Sequence, residues 1–478
     1  MLMRYKLPRF ELFDEHGLEA HTVKSLKLLI LAVAFGIIHF NIIAGIAMAG
    51  YLRTLGVSDF VFGLLYAIGP VLSPIQLAAS YILERTRMRK RMLLIAGLTQ
   101  RLIWLPFGLV PFIIPMEQPV LRIWMVSLFL FISAFSGPFM NVSFFSLAAD
   151  LVPERIRGRY FAVRMRISTL FGVLGGVLVA WILDSFSPFY SYTMVFTLAA
   201  IMGTVDIICF FGVKFPEMAQ RPKDGEQFTQ MLGAVIKNKP YMRFIFFMTF
   251  WLFALNLSGP FILIHLREVV QLSNTLITVA VQILPNLCSI VIVSRWGRAL
   301  DSHGNKSVMQ VANGILCFAP FLWIFTTNNA VSVVLIMLIG LMHGLLLPGF
   351  DLGANNIMMG SAPQVNRSMY IALYFTCTSI IGIGLGNATG GWLLDNVFSN
   401  FEAMDLSLLG VALTRYSFLF ALTALIRCFI VYVALPRMVK EEKGTSAQDF
   451  MMDTARNIRR RILHRWAVIR YNLRRKKV

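Results

Sequence analysis

Apolar residues run along this chain in long stretches broken by short polar connections, with no period-two alternation of the kind a β-barrel strand needs. Twelve stretches stand out, at 28–51, 60–83, 92–114, 123–149, 167–185, 189–213, 243–266, 275–297, 307–326, 331–358, 369–393 and 416–436. A bilayer leaves no water to satisfy backbone groups, so an apolar run of roughly 20 residues reads as a helix crossing it. The pattern predicts an all-α polytopic membrane protein with twelve transmembrane helices.

The polar connections fall into two classes. Odd-numbered loops carry only Arg53, Arg122, Arg267 and Arg415 as basic residues. Even-numbered loops are dense: Arg85, Arg87, Arg89, Lys90 and Arg91, then Arg155, Arg157, Arg159, Arg164 and Arg166, then Lys214, Arg221, Lys223, Lys237, Lys239 and Arg243. By the positive-inside rule the even loops and both termini are cytoplasmic, in the plasma (inner) membrane. The first 24 residues are polar, and the run after them is too long for a signal-peptide core, so the amino terminus is expected to be retained. The longest internal connection divides the spans six and six. The expected organisation is a cytoplasmic segment 1–27, a six-helix half 28–213, a linker 214–242, a second half 243–436 and a basic cytoplasmic tail 437–478.

The halves resemble each other. A shift of 215 puts Asn41 on Asn256, Ser58 on Ser273 and Pro70 on Pro285; a shift of 210 puts Pro138 on Pro348, Asn141 on Asp351 and Arg157 on Arg367. A shift of 211 puts Trp181-Ile-Leu-Asp184 on Trp392-Leu-Leu-Asp395. These matches keep one order and a nearly constant offset, which is the mark of a duplicated six-helix unit.

Composition narrows the function classes. The 478 residues are 57% hydrophobic and 14% charged, against roughly 25% charged in an ordinary soluble domain. The net charge of +20 gathers in loops and tail, which fits a membrane surface and argues against nucleic acid as a partner. The five cysteines lie inside apolar runs without CxxC spacing, so no metal site or disulfide framework is expected. HExxH, Walker-loop and DxxD-type clusters are missing, which argues against a polytopic membrane enzyme or an ATP-driven pump and leaves no cofactor implied.

After span 8 the chain reads Gly297-Arg-Ala-Leu-Asp301-Ser-His-Gly304-Asn-Lys306, which resembles the G-x-L-A-D-R-x-G-R-K signature of the major facilitator superfamily. The loop after span 2 carries a degenerate copy, Ser80-Tyr-Ile-Leu-Glu84-Arg85-Thr-Arg87, with Ser80 and Arg87 in place of the glycines. Asp150-Leu-Val-Pro-Glu-Arg-Ile-Arg157-Gly158 is similar to that family's loop between spans 4 and 5. The resemblance covers the whole spanning region. It implies two pseudo-symmetric six-helix halves and a gate in which Glu84, with Arg85 beside it, approaches Arg367, while Asp301 approaches Arg157. The alternative is a tight loop kept for topology. A glycine-rich run on span 11, Gly382 to Gly391, partly resembles the antiporter motif of drug-efflux members but has Asn387 where that motif has proline; helix packing explains it.

In the resembled family spans 1, 4, 7 and 10 line a central cavity. They carry Asn41, Asn141, Asn256 and Asp351, and Gln282, Asn286, Asn355 and Asn356 add amides that can orient a polar solute; Tyr66 and Trp104 are candidate aromatic walls. Interhelical bonding is the competing role of such amides. Asp351 is the candidate proton carrier, because its repeat partner Asn141 cannot titrate; a structural bond to backbone broken near Pro348 is the alternative. His39 is a second titratable candidate. Arg101, Asp206 and Arg427 lie inside spans 3, 6 and 12, where either snorkelling and interhelical pairing or function can hold them.

The expected protein is a monomeric secondary transporter of a small organic solute, coupled to protons, with export of drugs, lipids or other amphiphiles as the alternative. Its tail, with basic residues around Ile458, Ile462, Trp466, Ile469 and Leu473, reads as an amphipathic helix on the anionic lipid of the inner leaflet, or as a plain basic tail. The topology is tested by reporter fusions: those after residues 118, 188 and 328 should report outside, and those after 225 and 445 inside. An outside-active reporter at 225 contradicts the division into halves.

Overall fold

The computed structural model describes residues 18–115, 117–217, 228–361, 367–408, 410–438 and Met452. The expected amphipathic tail and the middle of the linker therefore lie outside the described residues. Twelve helical spans follow in order: α1 (Ala20–Thr54), α2 (Asp59–Thr86), α3 (Arg89–Ile113), α4 (Pro119–Leu151), α5 (Arg157–Ser185) and α6 (Pro188–Gly212). After a linker helix, Phe228–Lys237, come α7 (Lys239–Glu268) and α8 (Asn274–His303). The second six end with α9 (Asn305–Leu316, then Ala319–Trp323), α10 (Ala330–Gly360), α11 (Met369–Glu402) and α12 (Arg415–Arg437). Eleven of these are apolar helical runs long enough to cross a membrane, some with a short break such as that at Gly45 in α1. The twelfth, α9, is interrupted at Cys317 and Phe318, and its second piece restarts with Pro320 in the first turn. Proline has no amide proton to give the preceding turn, so it starts helices and interrupts them.

Local sequence sets where the spans begin. Ser58 and Ser273 accept from the amides of Val61 and Leu276, each at 3.3 Å, and so cap α2 and α8 in the same way. Asn238 caps α7 and Asn329 caps α10. One end and one helix interior differ from expectation. Helix α5 begins at Arg157, ten residues before its apolar run, so Arg159, Arg164 and Arg166 are helical and not loop residues. Helix α10 passes unbroken through Pro348 and Gly349, which removes the broken backbone to which Asp351 would have bonded. The turn after α8 uses Gly304 at φ 86°, while the degenerate copy after α2 puts Arg87 at φ 54°, in the left-handed region where a side chain is strained.

The apolar core divides unevenly. At the face away from the basic loops, hereafter the far face, one cluster runs through both halves, joining Tyr51, Phe62, Phe107 and Phe196 to Leu257, Phe261, Leu394 and Phe420. Towards the basic face it splits. One cluster belongs to the first half alone (Leu26, Leu93, Leu147, Tyr160, Phe210) and another to the second (Tyr241, Phe244, Trp251, Phe350, Tyr374). Glycines bring α11 onto its neighbours: a Cβ on Gly386 would stand 2.9 Å from the Phe253 carbonyl oxygen of α7. Lipid gives helices no hydrophobic reason to associate, so such close approach supplies the attraction.

Within the first half, Arg101 of α3 donates to Asp206 of α6 at 2.9 Å, both almost fully buried. His39 of α1 lies against the same site, where a Cβ on Gly203 would stand 2.7 Å from its Nδ1, and that nitrogen is 2.9 Å from the Ala199 carbonyl. Trp104, expected as a cavity wall, is buried between Phe107 and Phe196. Breaking a buried pair by removing one partner costs about 3–5 kcal/mol, because the other charge is stranded. Arg101→Gln should therefore lower the thermal midpoint of the purified protein sharply, and adding Asp206→Asn should restore part of the loss. Equal midpoints for single and double variants would show that the pair does not hold α3 to α6.

Candidate functional site

The far face is closed by two contacts that repeat the same design. The carboxylate of Asp184, at the end of α5, accepts from the backbone amides of Asn274 and Thr275 at 2.9 Å each, and from their side chains at 2.7 Å each. These are the first two residues of α8, in the other half. The carboxylate of Asp395, in the matching position on α11, accepts from the amides of Asp59 and Phe60 at 3.2 and 2.8 Å, the first two residues of α2. Helix N-termini leave amides without intrahelical partners and carry a partial positive charge, so a carboxylate there is bound by both. The serine caps take the third-position amide; the carboxylates take the first and second.

A second layer surrounds the α2 clamp. The Asp59 carboxylate pairs with Arg53 of α1 and, at 3.0 Å, with Arg415 of α12. Arg53 reaches Glu268 of α7 at 3.0 Å and the Tyr416 hydroxyl at 3.0 Å, and that hydroxyl donates to Glu268 at 3.2 Å. On the α8 side Arg267 donates to the hydroxyl of Tyr192 on α6. The few charges in odd-numbered connections or at their edges are thereby used largely across the interface.

Where the core splits, cavities open. One of about 450 Å³ lies between α1, α5 and α8, lined by Asn41, Arg164, Ser168, Thr169, Gln282 and Asn286 among others. A second, of about 270 Å³, reaches into the first half past Asn141, Arg101 and Asp206 and shares Arg164, Val33 and Ile37 with the first. A third, of about 600 Å³, lies between α2, α4 and α11 beside Glu84, Phe145 and Phe375.

The structure thus gathers Asn41, Gln282 and Asn286 at one cavity and puts Asn141 at its neighbour; the same three amides also border a cavity of about 310 Å³ that extends past Ile46, Leu263 and Ile277. Asn41 also donates to the Gly172 carbonyl of α5 at 3.1 Å. Asn256 turns back onto the Leu252 carbonyl of its own helix at 2.8 Å, and Asn356 donates to Asn305 at 3.1 Å; neither lines these cavities, nor does exposed Asn355. Asp351 is exposed on α10, with Tyr374 of α11 near it and no hydrogen-bond partner among the described residues. His39 is wholly buried between α1 and α6, in the opposite half from Asp351. Arg427 lies buried over the Trp251 ring at 4.8 Å. On the basic face Asp301 is exposed near the end of α8. The side chains of Arg157 and Arg367 lie outside the described residues, and with them the pairings expected of Glu84 and Asp301.

Sequence reasoning missed Arg164, counted as a loop cation, and gave no role to Asp184 and Asp395. The tetrapeptide repeat that ends in those two acids was the available signal.

Comparison with known proteins agrees with this architecture. The sequence model described as Major Facilitator Superfamily matches residues 28–350 and 286–475. A search of curated proteins finds no significant match. Among solved structures, a mutant of the nucleoside transporter NupG superposes with a TM-score of 0.66 at 15% identity, over 87% of this chain and 100% of its own. A bacterial homologue of the human lysosomal transporter Spinster, in an inward-facing and unoccupied conformation, gives 0.64 at 12% identity, over 88% and 97%. A D-xylose–proton symporter gives 0.63 at 13% identity, over 89% and 100%. With a family match along nearly its whole length and twelve helical spans in two halves, the chain belongs to the Major Facilitator Superfamily and is a membrane transporter, not an enzyme.

Proposed function

We propose that this protein moves a small organic solute by alternating access, driven by protons, with the basic face cytoplasmic. The observation that carries the reading is the asymmetry of the interface: one continuous core and two carboxylate clamps at the far face, separate cores and solute-sized cavities towards the basic face. A solute entering from the basic side meets amides on α1 and α8, contributed by opposite halves. Rocking the halves about that site exposes it to the far side only after the clamps release.

The clamps must then be offset by contacts of the other state. Glu84, Arg85 and Asp301 on the basic face, with Arg157 and Arg367, are the groups proposed to form them. Coupling of this kind is typically worth about 1–3 kcal/mol, enough to turn a balanced equilibrium. Such balance is what a carrier needs, since a state held too firmly cannot cycle.

Proton drive is assigned to Asp351. It is an acid without a hydrogen-bond partner among the described residues, on α10, where the duplicated position on α4 is the neutral Asn141. His39, bonded to a backbone carbonyl in the interior of the first half, supports packing better than proton transfer. One neighbour of like fold is named as a proton symporter, which is in keeping with this drive.

The test uses a solute found by thermal stabilisation of the purified protein across sugars, amino acids, lipids and drugs. In proteoliposomes, Asp351→Asn should abolish accumulation of that solute under an imposed pH gradient while leaving exchange intact. Accumulation by the variant equal to the parent's would overturn the assignment of Asp351.

A further inference from the structure

From Arg164 and the two cavities that share it, we infer that the site takes a small organic anion, its carboxylate or phosphate ester held by this guanidinium. The inference rests on the transport reading and names the charge of the solute.

Arg164 lies two turns inside α5 and forms part of the wall of both cavities. Its guanidinium stands 4.8 Å over the Phe144 ring of α4, and its Nε is buried without a hydrogen-bond partner. Asp206, the acid of the smaller cavity, is bonded to Arg101 at 2.9 Å and lies within electrostatic reach of Arg164 as well, so one carboxylate serves two guanidiniums. Among the described residues that line them, the two cavities therefore present two guanidiniums and one carboxylate, a net excess of one positive charge inside the membrane-spanning bundle.

Such a charge is costly in a bilayer, and intramembrane cations usually find an anion or a water-filled path. The ring face beside Arg164 offers only a weak partner. A planar guanidinium has donors spaced for two oxygens of a carboxylate or phosphate, which a lysine ammonium cannot match. Around it stand donors and acceptors suited to hydroxyl groups: Asn141, Ser168, Gln282 and Asn286. A volume of about 450 Å³ suits a metabolite-sized ligand. The competing explanation is a topological arginine whose head only reaches for water at the basic face. That role needs positive charge but neither selectivity for anions nor the planar fork.

The two are separated with Ser168→Cys, which places a thiol on the cavity wall one turn from Arg164. Full-length protein in lipid nanodiscs is labelled with an anionic sulfonate thiol reagent and a cationic ammonium one, with the parent chain correcting for native cysteines. The thiol should favour the anionic reagent by about tenfold over its ratio for free cysteine, as expected for a focused positive potential. Arg164→Gln should erase the preference and Arg164→Lys should keep it. Gluconate or glucose 6-phosphate should slow labelling and glucose should not, and Arg164→Lys should lose most of that protection. Protection by gluconate alone identifies a carboxylate, and by the phosphate ester alone a phosphate. An anionic preference unchanged by Arg164→Gln, protection by glucose equal to that by the anions, or protection by none of the three would overturn the inference. Labelling reports the charge of the cavity whether or not solute accumulates, so its failure leaves alternating access and Asp351 to their own test.

Discussion

A carboxylate at the end of one helix, binding the free amides at the start of another in the opposite half, is the contact on which this architecture turns. Asp184 of α5, binding the start of α8, and Asp395 of α11, binding the start of α2, are the two instances, related by the internal duplication. The contact is polar and directional, unlike the apolar packing around it. It is complete only when two helices from different halves meet end to end. Pulling the two ends apart would leave a carboxylate and two amides to water or to nothing. Hydrogen bonds to charged groups contribute about 1.5–3 kcal/mol each, so a clamp of this kind favours a discrete closed state over a range of partly open ones.

The rest of the interface is arranged around that closure. The shared core from Phe62 to Phe261 and the Arg53, Asp59 and Arg415 network lie at the clamped face, with the Asp59 side chain fully buried and the two arginines partly exposed. At the basic face the cores are separate, one to each half. Within the first half, contacts such as Arg101 with Asp206 hold helices to one another. Polar residues in the bundle thus divide into those that hold a half together, those that join the halves, and those that face the space between them.

Much of this was legible in the sequence, because bilayer physics constrains it so tightly. Run length and the placement of basic residues predicted twelve spans in two sets of six, and the Asp301 motif pointed to the superfamily. The duplicated serines and the Trp-to-Asp tetrapeptides were also visible, yet their meaning lies in a contact about 90 residues apart in one instance and over 330 in the other. Periodicity is silent about which helix end meets which. Arg164 was hidden for another reason: helix α5 extends beyond its apolar run, so a hydropathy boundary assigned a cavity residue to a loop. Trp104 failed as a cavity wall because an apolar span has no polar face to reveal which side is lipid, core or solute path. The amides illustrate the same limit, with Asn256 bonded to its own helix and Gln282 at the cavity.

If the paired carboxylates hold the far face shut, distances across that face depend on them. Spin labels at Ser187 and Met404, both exposed and on opposite halves, would report them in the full-length protein in nanodiscs. Asp184→Asn together with Asp395→Asn should move the distribution towards longer distances, populating a far-face-open state that is minor in the parent. Distributions that coincide between the parent and the double variant would contradict it.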